Sequence, residues 1–263
     1  MDLSKYNRAF FFGCSFTHYY WPTWADILSK EIKKTYVYAK VGAGNFFIYQ
    51  ALIEAIVKHD IQEDDLVIVM LSNVTREDRY TEKEGWITPG NLFFQDVYDK
   101  KFLEKFFCQK GYLLRDLNLI EGMIRSLKTT SADFYFTSIV PVDSLSSDSV
   151  KMKDVQTILD SYRRTISQIK PSVLDVVFNG NWNNRTARPV YNTHWSKDLY
   201  TDNHPTPQEH LEYILSIFPE IKISSRTKDY VKDATQRLLS CSTYTEIVNT
   251  FKHELTVPEA RIQ

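Results

Sequence analysis

The stretch LVIVML, residues 66–71, is apolar at every position and is the most strand-like run of the chain. A continuous apolar run of this length is typical of a parallel strand that is covered on both faces, because such a strand has no solvent-exposed side. Other largely apolar runs occur at residues 9–12, 36–39, 134–140 and 173–178. These segments predict a five-stranded parallel sheet.

Segments with helical periodicity separate the predicted strands. Apolar residues recur every three or four positions in the segments that begin near residues 24, 47, 117, 155 and 207. This spacing places the apolar side chains on one face of a helix, and that face then packs on the sheet. The alternation of strands and helices predicts a three-layer α/β/α fold with a doubly wound parallel sheet.

Two parts of the chain depart from this alternation. Residues from about 80 to 114 are aromatic, charged and weakly periodic, and we interpret them as an insertion. Residues 221–263 contain two amphipathic helical patterns, which predict a C-terminal helical extension. The α/β/α domain is then expected to span residues 1–220.

Composition narrows the expected partners and location. The net charge is −1, so no strong field attracts nucleic acid or an anionic membrane. The three cysteines, Cys14, Cys108 and Cys241, cannot all pair, which favours a reducing compartment. No apolar run approaches membrane-spanning length, and the first residues, MDLSKYNR, lack the apolar region of a signal peptide. We therefore expect a cytoplasmic protein that binds neither nucleic acid nor membranes.

Glycines and polar residues follow the predicted strands at the points where the strands end. Gly13-Cys14-Ser15 follows the first strand, Gly44 the second and Asn73 the third, and Asp202-Asn203-His204 precedes the last core helix. Active sites of parallel sheets lie at the carboxyl ends of the strands, so we expect these groups to meet. A hydroxyl, backbone amides, a carboxamide and an Asp/His pair are the groups that acyl transfer requires.

In their order and position these four blocks resemble those of the SGNH (GDSL-type) hydrolase family. The family's Gly-Asp-Ser block resembles Gly13-Cys14-Ser15, and its later glycine and asparagine correspond to Gly44 and Asn73. Its late Asp/His block corresponds to Asp202 and His204. The resemblance covers roughly residues 8–218. It implies the flavodoxin-like fold of that family and an ester hydrolase that needs no cofactor and no metal.

The resemblance also implies roles for the matched residues. Ser15 would be the nucleophile, His204 the general base and Asp202 the acid that orients the histidine. The oxyanion hole would consist of the Ser15 N–H, the Gly44 N–H and the Asn73 side chain. Purely structural alternatives remain open, since each of these residue types also occurs in helix caps and turns.

Two positions depart from the family's pattern. Cys14 stands where the family has aspartate, and Asp202 precedes His204 by two residues instead of three. Cys14 is therefore a second candidate nucleophile, and Asp198 is the alternative to Asp202. Neighbouring side chains of an extended turn point in opposite directions, so only one of Cys14 and Ser15 can face the site. The family's pattern gives that place to Ser15 and sends Cys14 inward.

Aromatic and basic residues near the blocks suggest a substrate. Tyr19 and Trp21 follow the nucleophile and Trp195 lies in a late loop, so these rings either stack on a sugar or cover the core. Arg76, on a candidate rim loop, could meet an anionic group of the substrate. We predict a serine hydrolase acting on an O-acyl ester, with an ester of a carbohydrate or glycan precursor as the candidate substrate.

Three other interpretations remain open. An O-acyltransferase would use the same triad but transfer the acyl group to an alcohol, which depends on the exclusion of water. A degenerate member of the family would bind a glycan or a partner protein without turnover. A metal site formed by Asp202, His204 and His210 is disfavoured, because histidines six residues apart do not share a helical face.

Overall fold

The computed structural model describes residues 1–93, 98–143, 152–184, 188–193 and 197–259, with residues 152–154 described by their backbone alone. The strands are β1 (Arg8–Gly13), β2 (Thr35–Ala39), β3 (Asp65–Leu71), β4 (Arg79–Thr81), β5 (Gly85–Ile87), β6 (Asp133–Ser138), β7 (Val190–Asn192) and β8 (Leu199–Thr201). The α-helices are α1 (Trp24–Ser29), α2 (Asn45–His59), α3 (Lys100–Phe106), α4 (Gln109–Lys128), α5 (Met152–Ser161), α6 (Arg163–Ile166), α7 (Val173–Phe178), α8 (Pro207–Ile217), α9 (Ser225–Ser240) and α10 (Tyr244–Phe251). Among the described helices, none combines the length and the apolar character needed to cross a membrane.

The central sheet is parallel and has the strand order β2-β1-β3-β6. β1 lies between two neighbours, so that Phe10 pairs with Tyr36 on one side and with Val67 on the other. All seven residues of β3 are buried, as expected for a strand covered on both faces. The chain moves outward from β1 to β2 and then returns past β1 to β3. Right-handed crossovers in opposite directions place α1 and α2 on opposite faces of the sheet. The predicted α/β class with a parallel sheet is therefore confirmed.

The predicted fifth strand is wrong, because residues 173–178 form the helix α7. Ser172 caps this helix, since its Oγ accepts a hydrogen bond from the Asp175 N–H at 3.1 Å. Asn179 ends the helix in the left-handed conformation, with a φ of 53°. The two caps satisfy backbone groups at both helix ends and so outweigh the strand propensity of the run VLDVVF.

An isolated bridge occupies the edge of the sheet beside β6. Ile169 pairs there with Phe136 in the parallel sense, and the Lys170 N–H donates to the Phe136 carbonyl at 2.8 Å. Pro171 follows directly and has no N–H to continue such a ladder. The described residues therefore contain four strands in this sheet and a single paired position at its edge.

The segment predicted as an insertion contains the hairpin β4–β5, helix α3 and the beginning of α4. The hairpin lies against the loop that follows β2, where the Thr88 hydroxyl donates to the Val41 carbonyl at 2.8 Å. Gly42 in this loop has a φ of +78°, and a Cβ at this position would overlap the Thr88 carbonyl oxygen. Glycine at this position lets the hairpin close over the carboxyl end of β2.

The C-terminal helices pack against the α/β/α core. They share with it a buried apolar cluster made of Trp21, Tyr191, Ala234, Leu238, Cys241, Ile247 and Phe251. Beyond α10, the Thr256 N–H donates to Asp26 Oδ1 at 2.7 Å, and the Glu259 N–H donates to the Val37 carbonyl at 2.7 Å. The predicted extension therefore contacts both α1 and β2. The domain boundary at residue 220 stays a prediction.

Candidate active site

Three polar side chains meet at the carboxyl end of β1. Ser15 Oγ lies 2.8 Å from His204 Nε2, and His204 Nδ1 lies 2.6 Å from Asp202 Oδ1. Ser15 belongs to the loop after β1, whereas Asp202 and His204 lie between β8 and α8. In this line of contacts an imidazole can take the hydroxyl proton while a carboxylate holds its second nitrogen. The structure thus brings together the three residues predicted as nucleophile, base and acid.

The short Asp-x-His spacing gives Asp202 two contacts with His204. Asp202 Oδ1 contacts the ring Nδ1 of His204, and it also accepts a hydrogen bond from the backbone N–H of His204 at 2.7 Å. An aspartate that binds the N–H two residues ahead forms an Asx turn, which fixes the backbone of the histidine as well as its ring. The alternative acid, Asp198, is exposed to solvent. A spacing of two residues is therefore compatible with triad geometry in this chain.

The Asp202 carboxylate is charged although it is almost completely buried, with 1% of its surface exposed. Burial by itself raises the pKa of a carboxyl group. Here the charge of His204 and the hydrogen bonds from His204 and Tyr19 outweigh the effect of burial, and they lower the pKa of Asp202 to about 2. Asp202 is therefore an anion at any pH at which an imidazole changes its charge.

Two tyrosines complete the surroundings of this carboxylate. The Tyr19 hydroxyl donates to Asp202 Oδ2 at 2.7 Å, and the Tyr191 hydroxyl donates to the same oxygen at 2.9 Å. The Tyr19 ring also stacks on the His204 imidazole, with 3.8 Å between ring centroids and 19° between planes. Tyr19, which we predicted to bind substrate, instead contacts His204 and Asp202. Tyr191 was missed, because a tyrosine in an irregular segment gives no signal in the sequence.

The substrate contact predicted for Trp21 is wrong, because the side chain is fully buried. Its Nε1–H donates to the Pro205 carbonyl at 2.8 Å, so it supports the backbone next to His204. Arg76 also has a structural contact: one guanidinium nitrogen donates to the Ala43 carbonyl at 2.7 Å and thereby joins the loops after β2 and β3. The fourth predicted substrate residue, Trp195, lies outside the described residues.

The loop after β1 separates the thiol of Cys14 from the hydroxyl of Ser15. Cys14 is fully buried in the apolar core, whereas Ser15 faces His204. The Cys14 carbonyl accepts the N–H groups of Thr17 and His18 at 2.9 and 3.1 Å, which closes a tight turn around the serine. This turn holds Ser15 at the end of the strand and keeps the thiol away from the imidazole.

The oxyanion role predicted for Gly44 needs a correction, because its N–H already donates to Asp78 Oδ1 at 2.8 Å. The other carboxylate oxygen of Asp78 accepts the Phe47 N–H at 2.9 Å. An anion at this place satisfies free N–H groups at the start of α2 and is favoured by the helix dipole. A Cβ on Gly44 would lie 2.7 Å from Asp78 Oδ2, so a close approach to this carboxylate explains the glycine.

Asn73, the other predicted oxyanion donor, is half-buried and has a fixed amide orientation. Its Oδ1 accepts the backbone N–H and the hydroxyl of Thr75 at 2.9 and 3.0 Å. These two donors identify the oxygen of the amide, so its Nδ2 points away from Thr75. Within the described parts of the chain, no group accepts a hydrogen bond from Asn73 Nδ2. The amide can therefore donate to a substrate oxygen.

A buried polar network behind these loops was also missed. Asn45 at the start of α2 exchanges hydrogen bonds with the backbone of Ser72, at 2.8 and 3.1 Å. Its Nδ2 also donates to Asp116 Oδ2 at 2.7 Å, and Arg115 Nε donates to Asp116 Oδ1 at 2.7 Å. Burial raises the pKa of Asp116 to about 6, against the opposing effect of Arg115. The network fixes the residue before Asn73 relative to α2.

The histidine of the disfavoured metal site, His210, is a buried core residue on α8. Burial, with a smaller effect from the charge of His204, lowers the pKa of His210 to about 3. His210 is therefore a neutral core residue near neutral pH. Among the described residues, no group of three histidine, cysteine, aspartate or glutamate side chains is placed to hold a metal ion.

Solved structures that are similar to this chain include the following three. One is a protein from Bacteroides fragilis described as an acylhydrolase, at 14% identity and a TM-score of 0.42, with 86% of this chain and 88% of that chain covered. The second is a GDSL-like lipase from Bacteroides thetaiotaomicron, at 14% identity and a TM-score of 0.42, with coverages of 88% and 90%. The third is a member of the lipolytic G-D-S-L family from Veillonella parvula, at 12% identity and a TM-score of 0.44, with coverages of 81% and 98%. No protein-family model and no curated protein matches the chain.

Proposed function

We propose that this chain is a serine hydrolase that cleaves O-acyl esters, with Ser15 as nucleophile, His204 as general base and Asp202 as the acid that orients the base. The observation that carries the proposal is the unbroken line of contacts from Ser15 Oγ through both nitrogens of His204 to the carboxylate of Asp202. Together with the four sequence blocks, this line favours a hydrolase of the SGNH type.

The geometry supports a two-step reaction. In the first step Ser15 Oγ adds to the carbonyl carbon of the ester while His204 Nε2 takes the hydroxyl proton. Asp202 stabilises the imidazolium that forms, and the imidazolium then gives the proton to the leaving oxygen, so that an alcohol departs. In the second step water attacks the acyl-serine with the same help from His204 and releases the acid. No cofactor enters either step.

The Ser15 N–H and Asn73 Nδ2 are the oxyanion donors that the proposal requires. Each such donor typically contributes about a hundredfold to a thousandfold in kcat. We expect Asn73→Ala to lower kcat by roughly a hundredfold, because the negative oxygen of the tetrahedral intermediate loses one hydrogen bond. The measurement is steady-state turnover of a short-chain aryl ester.

Two further variants separate the donor role of Asn73 from its contact with Thr75. Asn73→Asp keeps an oxygen for the Thr75 N–H but lacks the donor, so we expect it to be at least as impaired as Asn73→Ala. Thr75→Ala loses the hydroxyl contact with Asn73 Oδ1 and keeps the donor, so it should retain nearly all activity. Full activity of Asn73→Ala would remove Asn73 from the mechanism.

For the substrate we keep the proposal of a carbohydrate ester, although Tyr19 and Trp21 no longer support it. A cavity of about 770 Å³ adjoins the nucleophile loop at His18 and is covered by the hairpin β4–β5. Its lining includes Lys40, Tyr80, Glu82, Lys83, Trp86 and Glu259. Aromatic faces beside charged hydrogen-bonding groups suit a sugar ring with its hydroxyls. This cavity is the proposed binding place of the alcohol part of the ester.

Tyr80 tests this placement, because its ring is 52% exposed and lines the cavity. We expect Tyr80→Ala to raise KM for an acetylated sugar several-fold with little change in kcat, since the lost contact acts on binding alone. Turnover of a small aryl acetate, which is too short to fill the cavity, should be unchanged and serves as the control for folding. An unchanged KM for every acetylated sugar that is turned over would contradict the placement.

The proposed function itself is tested by turnover of a short-chain aryl ester by the wild type and by Ser15→Ala. An added alcohol in the same assay shows whether the acyl group passes to water or to the alcohol, which separates hydrolase from acyltransferase. Background rates for the wild type on all esters, with retained glycan binding, would replace the hydrolase by a binding protein.

A further inference from the structure

We infer that Tyr19 and Tyr191 are positioning residues that fix the carboxylate of Asp202 and, through it, the imidazole of His204. This inference rests on the proposed function, since it assigns the tyrosines to the same triad. Neither tyrosine takes part in the chemical step. Both are expected to change the rate and the pH dependence of that step through their contacts with Asp202.

The first observation is that four hydrogen-bond donors contact the carboxylate of Asp202. Oδ1 accepts the backbone N–H and the ring Nδ1–H of His204. Oδ2 accepts the hydroxyls of Tyr19 and Tyr191. An ionised carboxyl group offers about four lone-pair sites, so four donors that approach from two sides fix its orientation.

The second observation is the short spacing between Asp202 and His204. Because both N–H groups of His204 bind the same oxygen, Oδ2 turns away from the histidine into a buried environment. A buried charged oxygen without donors would be strongly unfavourable. The tyrosine hydroxyls supply the donors. Burial, followed by the charge of Asp202, raises the pKa of both phenols, so they remain protonated donors throughout the range in which the enzyme would work.

Tyr19 acts on the imidazole as well as on the carboxylate. Its ring lies parallel to the His204 ring at 3.8 Å, and Phe16 approaches His204 with its ring centroid at 4.8 Å and a tilt of 45°. Aromatic faces attract a cation, so the stacked ring favours the imidazolium that forms when Ser15 attacks. Tyr19 therefore holds the base by stacking and holds the acid by a hydrogen bond.

Tyr191 is itself held by the C-terminal helices. The next residue, Asn192, donates its N–H to the Ser242 carbonyl at 3.0 Å, and the Tyr191 ring lies 6.4 Å from that of Tyr244 on α10. Tyr191 is 2% exposed and belongs to the apolar cluster that joins these helices to the core. The segment after residue 220 therefore packs against Tyr191, and Tyr191 in turn donates a hydrogen bond to Asp202.

The test compares Tyr19→Phe and Tyr191→Phe, each of which removes one hydroxyl and keeps the ring. Hydrogen bonds to charged groups are among the stronger ones in proteins, so we expect each variant to lower kcat by roughly tenfold with little change in KM. Loss of a donor leaves the Asp202 charge less stabilised by the protein, which favours the protonated imidazole. The acidic limb of the pH–rate profile should therefore move to higher pH in both variants. Tyr36→Phe is the control and should change neither quantity, because Tyr36 is a half-buried residue near the amino end of β2, whereas Ser15 follows the carboxyl end of β1.

A titration of the ring nitrogens of His204 by NMR tests the same shift to higher pH without an activity assay. Residues from three elements face Asp202 and His204. They are Ser15, Phe16 and Tyr19 from the nucleophile loop, the neutral His210 from α8, and Tyr191 and Tyr200 from the β7–β8 hairpin. We expect the titration of His204 to move to higher pH in Tyr19→Phe and in Tyr191→Phe, and to stay in place in Tyr36→Phe. An unmoved titration in both variants overturns the inference, whether or not the wild type hydrolyses esters. A wild type without turnover whose titration moves as expected would instead contradict the hydrolase proposal alone.

Discussion

Replacing Ser15 with alanine is expected to lower kcat for a short-chain aryl ester by at least about 10⁴-fold. The hydroxyl 2.8 Å from His204 Nε2 is the nucleophile in the proposed reaction, and its removal takes away the acyl-serine pathway altogether. What remains is the weak catalysis that substrate binding and the oxyanion donors provide by themselves. Steady-state turnover, with circular dichroism to confirm the fold, measures the effect.

Cys14→Ala is the matched control for this variant. It changes the neighbouring residue of the same loop and removes the other reactive side chain, which is fully buried in the core. A small loss of stability is expected because the buried sulfur leaves a cavity, but the contact between Ser15 and His204 remains. Cys14→Ala should therefore keep its turnover. A large loss in Cys14→Ala together with retained turnover in Ser15→Ala would show that the thiol is the nucleophile.

The second large effect concerns the base and its dependence on pH. Ser15 can lose its proton only to a neutral imidazole, so kcat/KM should rise with pH along a single acidic limb. Asp202 adds no limb between about pH 5 and about pH 9, because its pKa lies at about 2 and it stays ionised throughout. His204→Ala should abolish the limb together with nearly all activity. Asp202→Asn should lower kcat by roughly 10⁴-fold, since an amide no longer holds the required tautomer.

His253 provides a control for this pH dependence, because it is exposed and lies after α10, away from the Asp202–His204 turn. His253→Ala should reproduce the wild-type rate and the wild-type acidic limb. If the limb persisted in His204→Ala, a group other than His204 would be the base. If Asp202→Asn kept the wild-type rate, the aspartate would have no part in orienting the histidine.

The central sheet was predictable from the sequence because its strands are buried on both faces. Such strands leave a continuous apolar run, as in LVIVML at residues 66–71, and helical periodicity separates them. The same criterion failed for residues 173–178, whose apolar and β-branched side chains also fit a helix face. There the capping residues Ser172 and Asn179 stabilise a helix. These two residues are the sequence signal that indicates helix α7.

The proximity of Ser15, His204 and Asp202 was predictable, because Ser15 follows a central strand and Asp202 and His204 directly precede the last core helix, α8. Contacts between loops were not predictable in this way. The Gly44 N–H donates to Asp78, which lies 34 positions later in the chain. Glycine and aspartate are also common in ordinary turns and helix caps, so neither residue type indicates this contact. Trp21 shows the same difficulty, because composition does not tell an exposed aromatic ring from a fully buried one.

The most direct test of the account is covalent labelling with a fluorophosphonate, which reacts with a serine hydroxyl that a histidine activates. After reaction, proteolysis and mass spectrometry locate the adduct. We expect one phosphonate group on Ser15 in the wild type, bound with loss of fluoride. We expect no adduct in His204→Ala, where the hydroxyl is present but has no base. An unlabelled wild type, or an adduct on Cys14 or on another residue with Ser15 unmodified, would contradict the account.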